Sequence, residues 1–371
     1  LFQAVVPNQK EQEWNEKSDK PTYAGIFHFK FWRFGEWIDV VIDDRLPTKN
    51  GKLIFCHSNI HNEFWSALIE KAFAKLHGDY ESLRTGTTAD ALVDFTGGVA
   101  ETLLLSKLSL NGPDENLAFF RKLIDAFDNH SLLTCIIGCP EEQIGTEANQ
   151  GLIKGHGYNI SMVLSTKVDK SFQEAVESGE LMMIRLSNPW GTKDWTGPWS
   201  DGAPEWQKLS QLKWEKIGLK FEREGEFWLT FDDFVKIFTN VDIIHFVNTD
   251  YFSVKKSWHE STFHSEWNAS GGSDFNSPTF LGNPQFVFDI GIHQDKIMVS
   301  LEQHDSSPRQ QGQKLNEIGF QIMKVEANRR YRVRINGELT FKSDYMRSRS
   351  IFVTTELEKG RCVMIPTTED P

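Results

Sequence analysis

The sequence predicts an α+β protein in two parts, a mixed region over residues 1–240 and an antiparallel β-sandwich over residues 245–371. Three observations carry that reading. Amphipathic helical stretches and alternating strand patterns are interleaved up to residue 240, and helical periodicity then fades. Strand-like runs follow at 286–290, 296–302, 318–325, 331–335, 350–354 and 361–365, separated by polar or Gly/Pro turns, the pattern of a sandwich. A chain of 371 residues with 39% hydrophobic content is also long enough for two or three domains with cores of their own.

The elements of the first part can be argued in order. Residues 23–33 and 36–42 alternate apolar and polar positions around Phe34-Gly35, which reads as a β-hairpin. Over 62–77, Phe64, Trp65, Leu68, Ile69, Ala72, Phe73 and Leu76 recur at helical spacing, with Asn62 available as a cap and Gly78 closing the end, so a core helix is expected. A second helical stretch over 115–129 precedes an apolar strand at 132–137, and the acidic segment 141–150 reads as a loop. TFDDFVKIFT at 230–239 has a threonine cap and two first-turn acids, suiting a short helix that ends this part. SGGSDFNSP at 270–278 reads as a flexible loop.

Bulk composition excludes several functions. With 52 acidic against 40 basic residues and a net charge of −12, the chain lacks the concentrated basic surface that nucleic acid requires. Cys56, Cys135, Cys139 and Cys362 are too few and too irregularly spaced for a disulfide framework or a CxxC zinc site, so a reducing, cytoplasmic location is expected. No run of apolar residues has the length of a membrane-spanning helix.

Chemistry is concentrated in GLIKGHGYNISMV at 151–163 and LMMIRLSNPWG at 181–191. Two strands can carry His156 and Asn188 to one place, where the asparagine amide oxygen accepts the imidazole N–H and fixes the ring tautomer. That pair is two thirds of a Cys–His–Asn constellation. The missing member is a cysteine opening a helix, where the helix N-terminus and a neighbouring imidazolium lower the thiol pKa. Neither Cys56, after an apolar run, nor Cys135 and Cys139, in or just after a strand, has that setting. A lone histidine or a turn asparagine is more often structural, and the downstream NPWG is what raises the catalytic reading. Asp194, Asp201, Glu222, Glu224 and Glu226 form a second cluster, interleaved with Trp195, Trp199, Trp206 and Trp228. Such carboxylates either repel one another in a solvated acidic loop pair or surround a hard cation such as Ca²⁺, which takes about 6–8 oxygen ligands.

The wording YAGIFHFKFWRFGEWIDVVIDDRLPT (23–48), NEFWSALIEKAFAKLHG (62–78), DALVDFTGGVAE (90–101), KGHGY (154–158), NPWG (188–191), DWTGPWSD (194–201), GEFWLTFDDF (225–234) and FLGNPQFVFDI (280–290) resembles the calpains, calcium-regulated cysteine endopeptidases. It is closer to calpains without an EF-hand domain and covers nearly the whole chain. The resemblance implies a papain-like protease core of two subdomains, with a boundary near 100–150, followed by a C2-like β-sandwich. It assigns His156 as general base and acid, Asn188 as its orienting partner and Trp190 as their cover, and places the nucleophilic cysteine upstream of residue 1. It implies a Ca²⁺ site with side chains of Asp194, Asp201, Glu224 and Glu226 and a carbonyl of Glu222, and a second site with Glu63 as one ligand, whose other ligands precede residue 1. Gly157 stands for the usual alanine and leaves backbone geometry intact, Ser187 stands for an arginine and weakens a local ion pair more than the chemistry, and Asp194 stands for a glutamate and loosens coordination. The implied partners are protein substrates, with membrane or cytoskeletal docking through the sandwich.

Two rival readings follow from the same residues. One keeps the fold without catalysis, as an inactive scaffold binding calcium or cytoskeletal partners. The other is a carbohydrate-active enzyme, because twelve tryptophans and many carboxylates also suit sugar stacking and paired-acid hydrolysis.

Overall fold

A computed structural model of the chain describes residues 5–9, 12, 23–58, 60, 62–84, 86–108, 112–165, 182–188, 195–208, 225–247, 258–267, 274–304 and 315–368. It divides into two compact units, Leu1–Val99 with Asn248–Pro371, and Ala100–Val247. No helix among the described residues is long and apolar enough to cross a membrane.

The first unit opens with the expected hairpin, β1 (Ile26–Arg33) and β2 (Glu36–Asp43), in antiparallel register from Ile26↔Asp43 to Arg33↔Glu36. Phe34 and Gly35 both take positive φ, +50° and +91°, as a two-residue hairpin turn that matches strand twist requires. A small ribbon, β3 (Thr48–Lys49) with β4 (Lys52–Leu53), repeats the device at Asn50-Gly51. Helix α1 (Trp65–His77) lays Leu68 and Ala72 against Phe29, Phe31, Val40 and Ile42 of the hairpin. It starts later than the sequence suggested. Phe64, not Asn62, is the N-cap and gives no side-chain cap, and Phe64 and Trp65 are exposed rather than part of the core. Helix α2 (Thr88–Thr96) is capped by Thr87, whose Oγ1 accepts from Asp90 N at 3.0 Å, and ends on Gly97 at φ +68°. A Cβ at Gly97 would also meet the Trp32 and Trp37 rings at 3.3 Å, so glycine is required twice over.

The second unit is built on a six-stranded sheet in the order β5-β10-β6-β7-β8-β9. Its elements are β5 (Val99–Leu104), α3 (Pro113–Asp128), β6 (Leu132–Ile136), β7 (Gly157–Ser165), β8 (Met182–Ser187), β9 (Glu226–Thr230), α4 (Phe231–Ile237) and β10 (Asn240–His245). Helix α4 is capped as its sequence requires, Thr230 Oγ1 accepting from Asp233 N at 3.1 Å, but it does not end the unit. Strand β10 follows and pairs with β6. The core joins Phe120 and Leu123 of α3 to Leu133, Tyr158, Leu186, Phe227 and Phe231, so β6 to β9 are held from one side by a single apolar layer.

The remainder of the first unit is an antiparallel β domain: β11 (Phe286–Glu302), β12 (Glu317–Val325), β13 (Glu338–Lys342), β14 (Met346–Arg347) and β15 (Ser350–Thr368). The main sheet runs β11-β15-β12-β13, with β14 on β12. Strand β12 is buried on both faces. Ile318, Phe320 and Ile322 enter one cluster with Ile290, Ile351 and Leu357, and Met323 enters another with Phe280, Val363 and Ile365. Three expectations are corrected. The runs at 286–290 and 296–302 are one strand, as are those at 350–354 and 361–365, because the breaks near Gly291 and Gly360 are absorbed as a register shift after Ile290↔Gly360 instead of as turns. Residues 331–335 are no strand: the Gln285 side chain takes both backbone groups of Val333, donating to its carbonyl at 3.0 Å and accepting from its N–H at 2.7 Å.

Candidate active site

Strand register decides where the histidine and asparagine meet. Gly155 N donates to Ile137 O at 2.8 Å just past the end of β6, and Gly157 begins β7 opposite Ile136, so His156 is held at the edge where the two strands join. On the other side of β7, Asn159 pairs with Ser187, which sets Asn188 one residue beyond β8. Asn188 N donates to Gly225 O at 2.8 Å, tying it to the start of β9. His156 Nε2 then lies 3.2 Å from Asn188 Oδ1, and both residues are buried. Of the two glycines flanking the histidine, only the first is a conformational requirement: Gly155 has φ +68°, and a Cβ there would stand 2.8 Å from Ile144 Cγ1.

Burial pushes the His156 pKa below the usual imidazole value, and the hydrogen bond to Asn188 offsets part of that shift. The ring is therefore neutral at physiological pH. With Asn188 Oδ1 as acceptor, the proton resides on Nε2 and the lone pair on Nδ1, the tautomer a general base needs.

Tyr158, absent from the sequence-derived site, holds the ring from below. Its ring meets that of His156 edge-on at 5.2 Å and 83°, its hydroxyl accepts from Ile153 N at 2.8 Å, and it packs on Phe227 and Phe238. The two-residue strand period places it on the same face as His156, the one signal that sequence alone offered.

Trp190, Asp194, Glu222 and Glu224 lie outside the described residues. Of the other predicted metal ligands, Glu226 opens β9 directly opposite Ser187, next to Asn188, while Asp201 occupies an exposed turn. Glu226 is held 3.6 Å from Arg185 Nη1, and its Oε2 is buried with no hydrogen-bond partner among the described residues. That oxygen is the one facing the Arg185 guanidinium, so its charge is already compensated within the described residues. No three His, Cys, Asp or Glu side chains among the described residues converge as a metal group. Glu63, in the first unit, accepts from Ser58 Oγ at 2.8 Å.

The tryptophans that accompany the acids are core residues. Trp199, Trp206 and Trp228 pack with Met183, and Trp195 belongs to the main core, so none of the four offers a face for a sugar. The cysteines are equally unlike a nucleophile: burial pushes the Cys135 thiol pKa well up, and desolvation, with Glu70 adding to it, raises that of Cys56.

The pattern of the calpain family cysteine protease matches residues 1–245, and that of calpain large subunit domain III matches residues 254–371. Calpain-5 of Mus musculus is 45% identical over all of this chain and 60% of its own length. Calpain-5 of Caenorhabditis elegans is 41% identical over all of the chain and 61% of its own, and Calpain-B of Drosophila melanogaster 36% over all of the chain and 41% of its own. The chain thus spans about 60% of the length of the calpain-5 relatives. With the two domain patterns matching residues 1–245 and 254–371 in turn, a protease core followed by a β-sandwich, the chain belongs to the calpain family of cysteine proteases.

Proposed function

We propose that this chain is the greater part of a calcium-dependent cysteine endopeptidase that carries out limited proteolysis, with His156 as general base and acid and Asn188 as its orienting partner. The observation that carries the reading is the buried 3.2 Å contact between His156 Nε2 and Asn188 Oδ1, which leaves the basic lone pair on Nδ1.

The family resemblance places the nucleophile in sequence preceding residue 1, and burial, which raises the thiol pKa of Cys135, Cys362 and Cys56, is in keeping with that. The nucleophile's thiol proton passes to His156 Nδ1 as sulfur attacks the peptide carbonyl carbon. The imidazolium returns that proton to the leaving amine as the C–N bond breaks. The thioester is then hydrolysed by a water that gives a proton to the same imidazole and its hydroxyl to the acyl carbon, and the thiol is reformed. Asn188 stabilises the imidazolium without changing protonation state. Calcium, when bound, supplies a fixed positive charge that neutralises the acidic cluster. Its ligands, as the family resemblance implies them, would be side chains of Asp194, Asp201, Glu224 and Glu226 with a carbonyl of Glu222.

The decisive measurement is casein cleavage by the chain extended to its native start, with and without calcium. Calcium-stimulated cleavage abolished by His156→Ala is the expected result. A folded, extended protein that binds calcium and cleaves nothing would favour the inactive scaffold instead.

A further inference from the structure

The first unit contains the same turn twice, built from different residues. Asn50-Gly51 closes the β3–β4 ribbon with φ of +54° and +76°, and Phe34-Gly35 closes the β1–β2 hairpin with +50° and +91°. Asparagine is a residue that such a turn favours, whereas a bulky aromatic at positive φ is strained. A Cβ at Gly51 would meet nothing within 4 Å, so the relaxed turn has open space beside it. The strained turn is enclosed. A Cβ at Gly35 would meet His264 Cε1 and Thr262 Cγ2 at 3.3 Å, and the Phe34 ring stacks on His304 at 4.6 Å and 26°. The guanidinium groups of Arg33 and Arg349 stand 4.8 and 5.4 Å from the same ring, both within cation–π range.

His304 and Arg349 belong to the β domain, and a network of their own holds them in place. Gln303, 9% exposed, donates its N–H to Arg349 O at 2.9 Å and its Nε2 to the carbonyls of Ser348 and Asn316 at 2.7 and 2.9 Å. The end of β11 is thereby tied to the residues just before β15. From there Arg349 donates to Glu302 Oε1 at 2.8 Å and to Asp94 Oδ1 of α2 at 2.6 Å, and Arg33 reaches Asp94 Oδ2 from the hairpin at 3.0 Å. The ring and the ion pairs close at one spot, between parts of the first unit that fall in different family patterns, residues 1–245 and 254–371.

We propose that Phe34 is a conformational latch, its strained turn pressing the ring against His304 and Arg349 so that the hairpin, α1 and α2 are carried with the β domain as one body. Withdrawal of this one ring is then the step that releases them. The inference stands apart from the protease reading, because every contact in it lies within the first unit and His156 and Asn188 lie in the second.

The test is amide hydrogen exchange of the full-length protein carrying Phe34→Asn, which gives the hairpin the residue it would prefer if the turn stood alone. A latch predicts the opposite of relief. Exchange should quicken by at least roughly tenfold at the turn and also at the Gln303 N–H across the contact, since one stacked ring and two cation–π contacts are lost. His304→Ala should act in the other direction, quickening exchange at residues 33–36, and the double variant should exchange no faster than the faster single one. Exchange that is slowed or unchanged in Phe34→Asn, or quickened only within residues 26–43, would overturn the proposal. So would effects of the two substitutions that multiply, which would make them independent sites.

Discussion

Replacing Arg349 by methionine should destabilise the first unit more than any other single change at a charged residue. Arg349 lies just before β15 and is 7% exposed, and its Nη2 donates to Asp94 Oδ1 of α2 at 2.6 Å. Asp94 is 1% exposed and also meets Arg33 at 3.0 Å and His77 at 3.5 Å, while Glu302 holds Arg349 at 2.8 Å from the other side. Removing one partner of a buried pair costs about 3–5 kcal/mol, because the other charge is left uncompensated in a poorly solvated site. Here Asp94 keeps Arg33, so the lower end, about 3 kcal/mol, is expected, or a melting temperature lower by roughly 6–12 °C for a unit of this size. Glu302→Gln should cost under about 1 kcal/mol, because burial raises the Glu302 pKa against the attraction of Arg349, leaving its charge little net stabilisation. The pair also has a pH signature. Burial acts to raise the Asp94 pKa, but the neighbouring His77 imidazole and the hydrogen bond and charge of Arg349 outweigh it and hold the carboxyl below its ordinary value. Its stabilisation is complete above the ordinary aspartate range and disappears as pH falls through the folded value. The assay is urea unfolding of the wild type, Arg349→Met, Asp94→Asn and the double variant at neutral and acidic pH. A loss under about 1 kcal/mol for Arg349→Met, the worth of a surface ion pair, would refute the reasoning.

Other outcomes can be checked on the same protein. Asn188→Ala in the extended chain should lower kcat by roughly 100-fold with little change in KM, since it removes the group that selects the tautomer and not one that binds substrate; an unchanged kcat would remove Asn188 from the mechanism. Gly155→Ala should cost about 1–3 kcal/mol in urea unfolding, from positive φ and the clash with Ile144 together. Tyr158→Phe leaves the buried Ile153 N–H unpaired and should cost about 1–3 kcal/mol, with kcat falling more than KM rises if the ring position is also disturbed. His156, whose pKa is depressed by burial, opposes protonation in the folded state. Its contribution to stability should be complete above the ordinary imidazole value and shrink as pH falls below it, and His156→Gln should flatten that part of the stability curve.

The sequence exposed the hairpin, α1, α3 and α4 through their apolar spacing, reinforced in the hairpin and in α4 by turn and cap residues that act as expected, Phe34-Gly35 and Thr230. It misplaced features governed by contacts distant in sequence. Asn62 has the chemistry of a cap but does not serve as one. Residues 331–335 have strand composition, yet Gln285, 48 residues away, takes the hydrogen bonds a neighbouring strand would need. Gly291 and Gly360 look like turns until β11 and β15 pair and absorb the irregularity. Within the site, His156 and Asn188 were legible from their flanking motifs, whereas Tyr158 resembled any strand aromatic because its role depends on which ring lies above it.

Register explains why so few residues suffice to build the site. His156 precedes β7, Asn188 follows β8 and Glu226 opens β9, so one end of three adjacent strands presents an imidazole, the amide that contacts it and a carboxylate. Since successive side chains alternate between faces, a slip of one residue between β7 and β8 would turn Asn188 away from His156 and expose the Leu186 side of the core at the same time. The apolar layer that buries Leu186, Phe227 and Tyr158 therefore fixes the His156–Asn188 contact as well as the stability of the sheet. Substitutions in that layer, far from any substrate, should consequently reduce turnover before they unfold the unit, because a shift of about 1 Å at a strand end is already enough to misplace a general base.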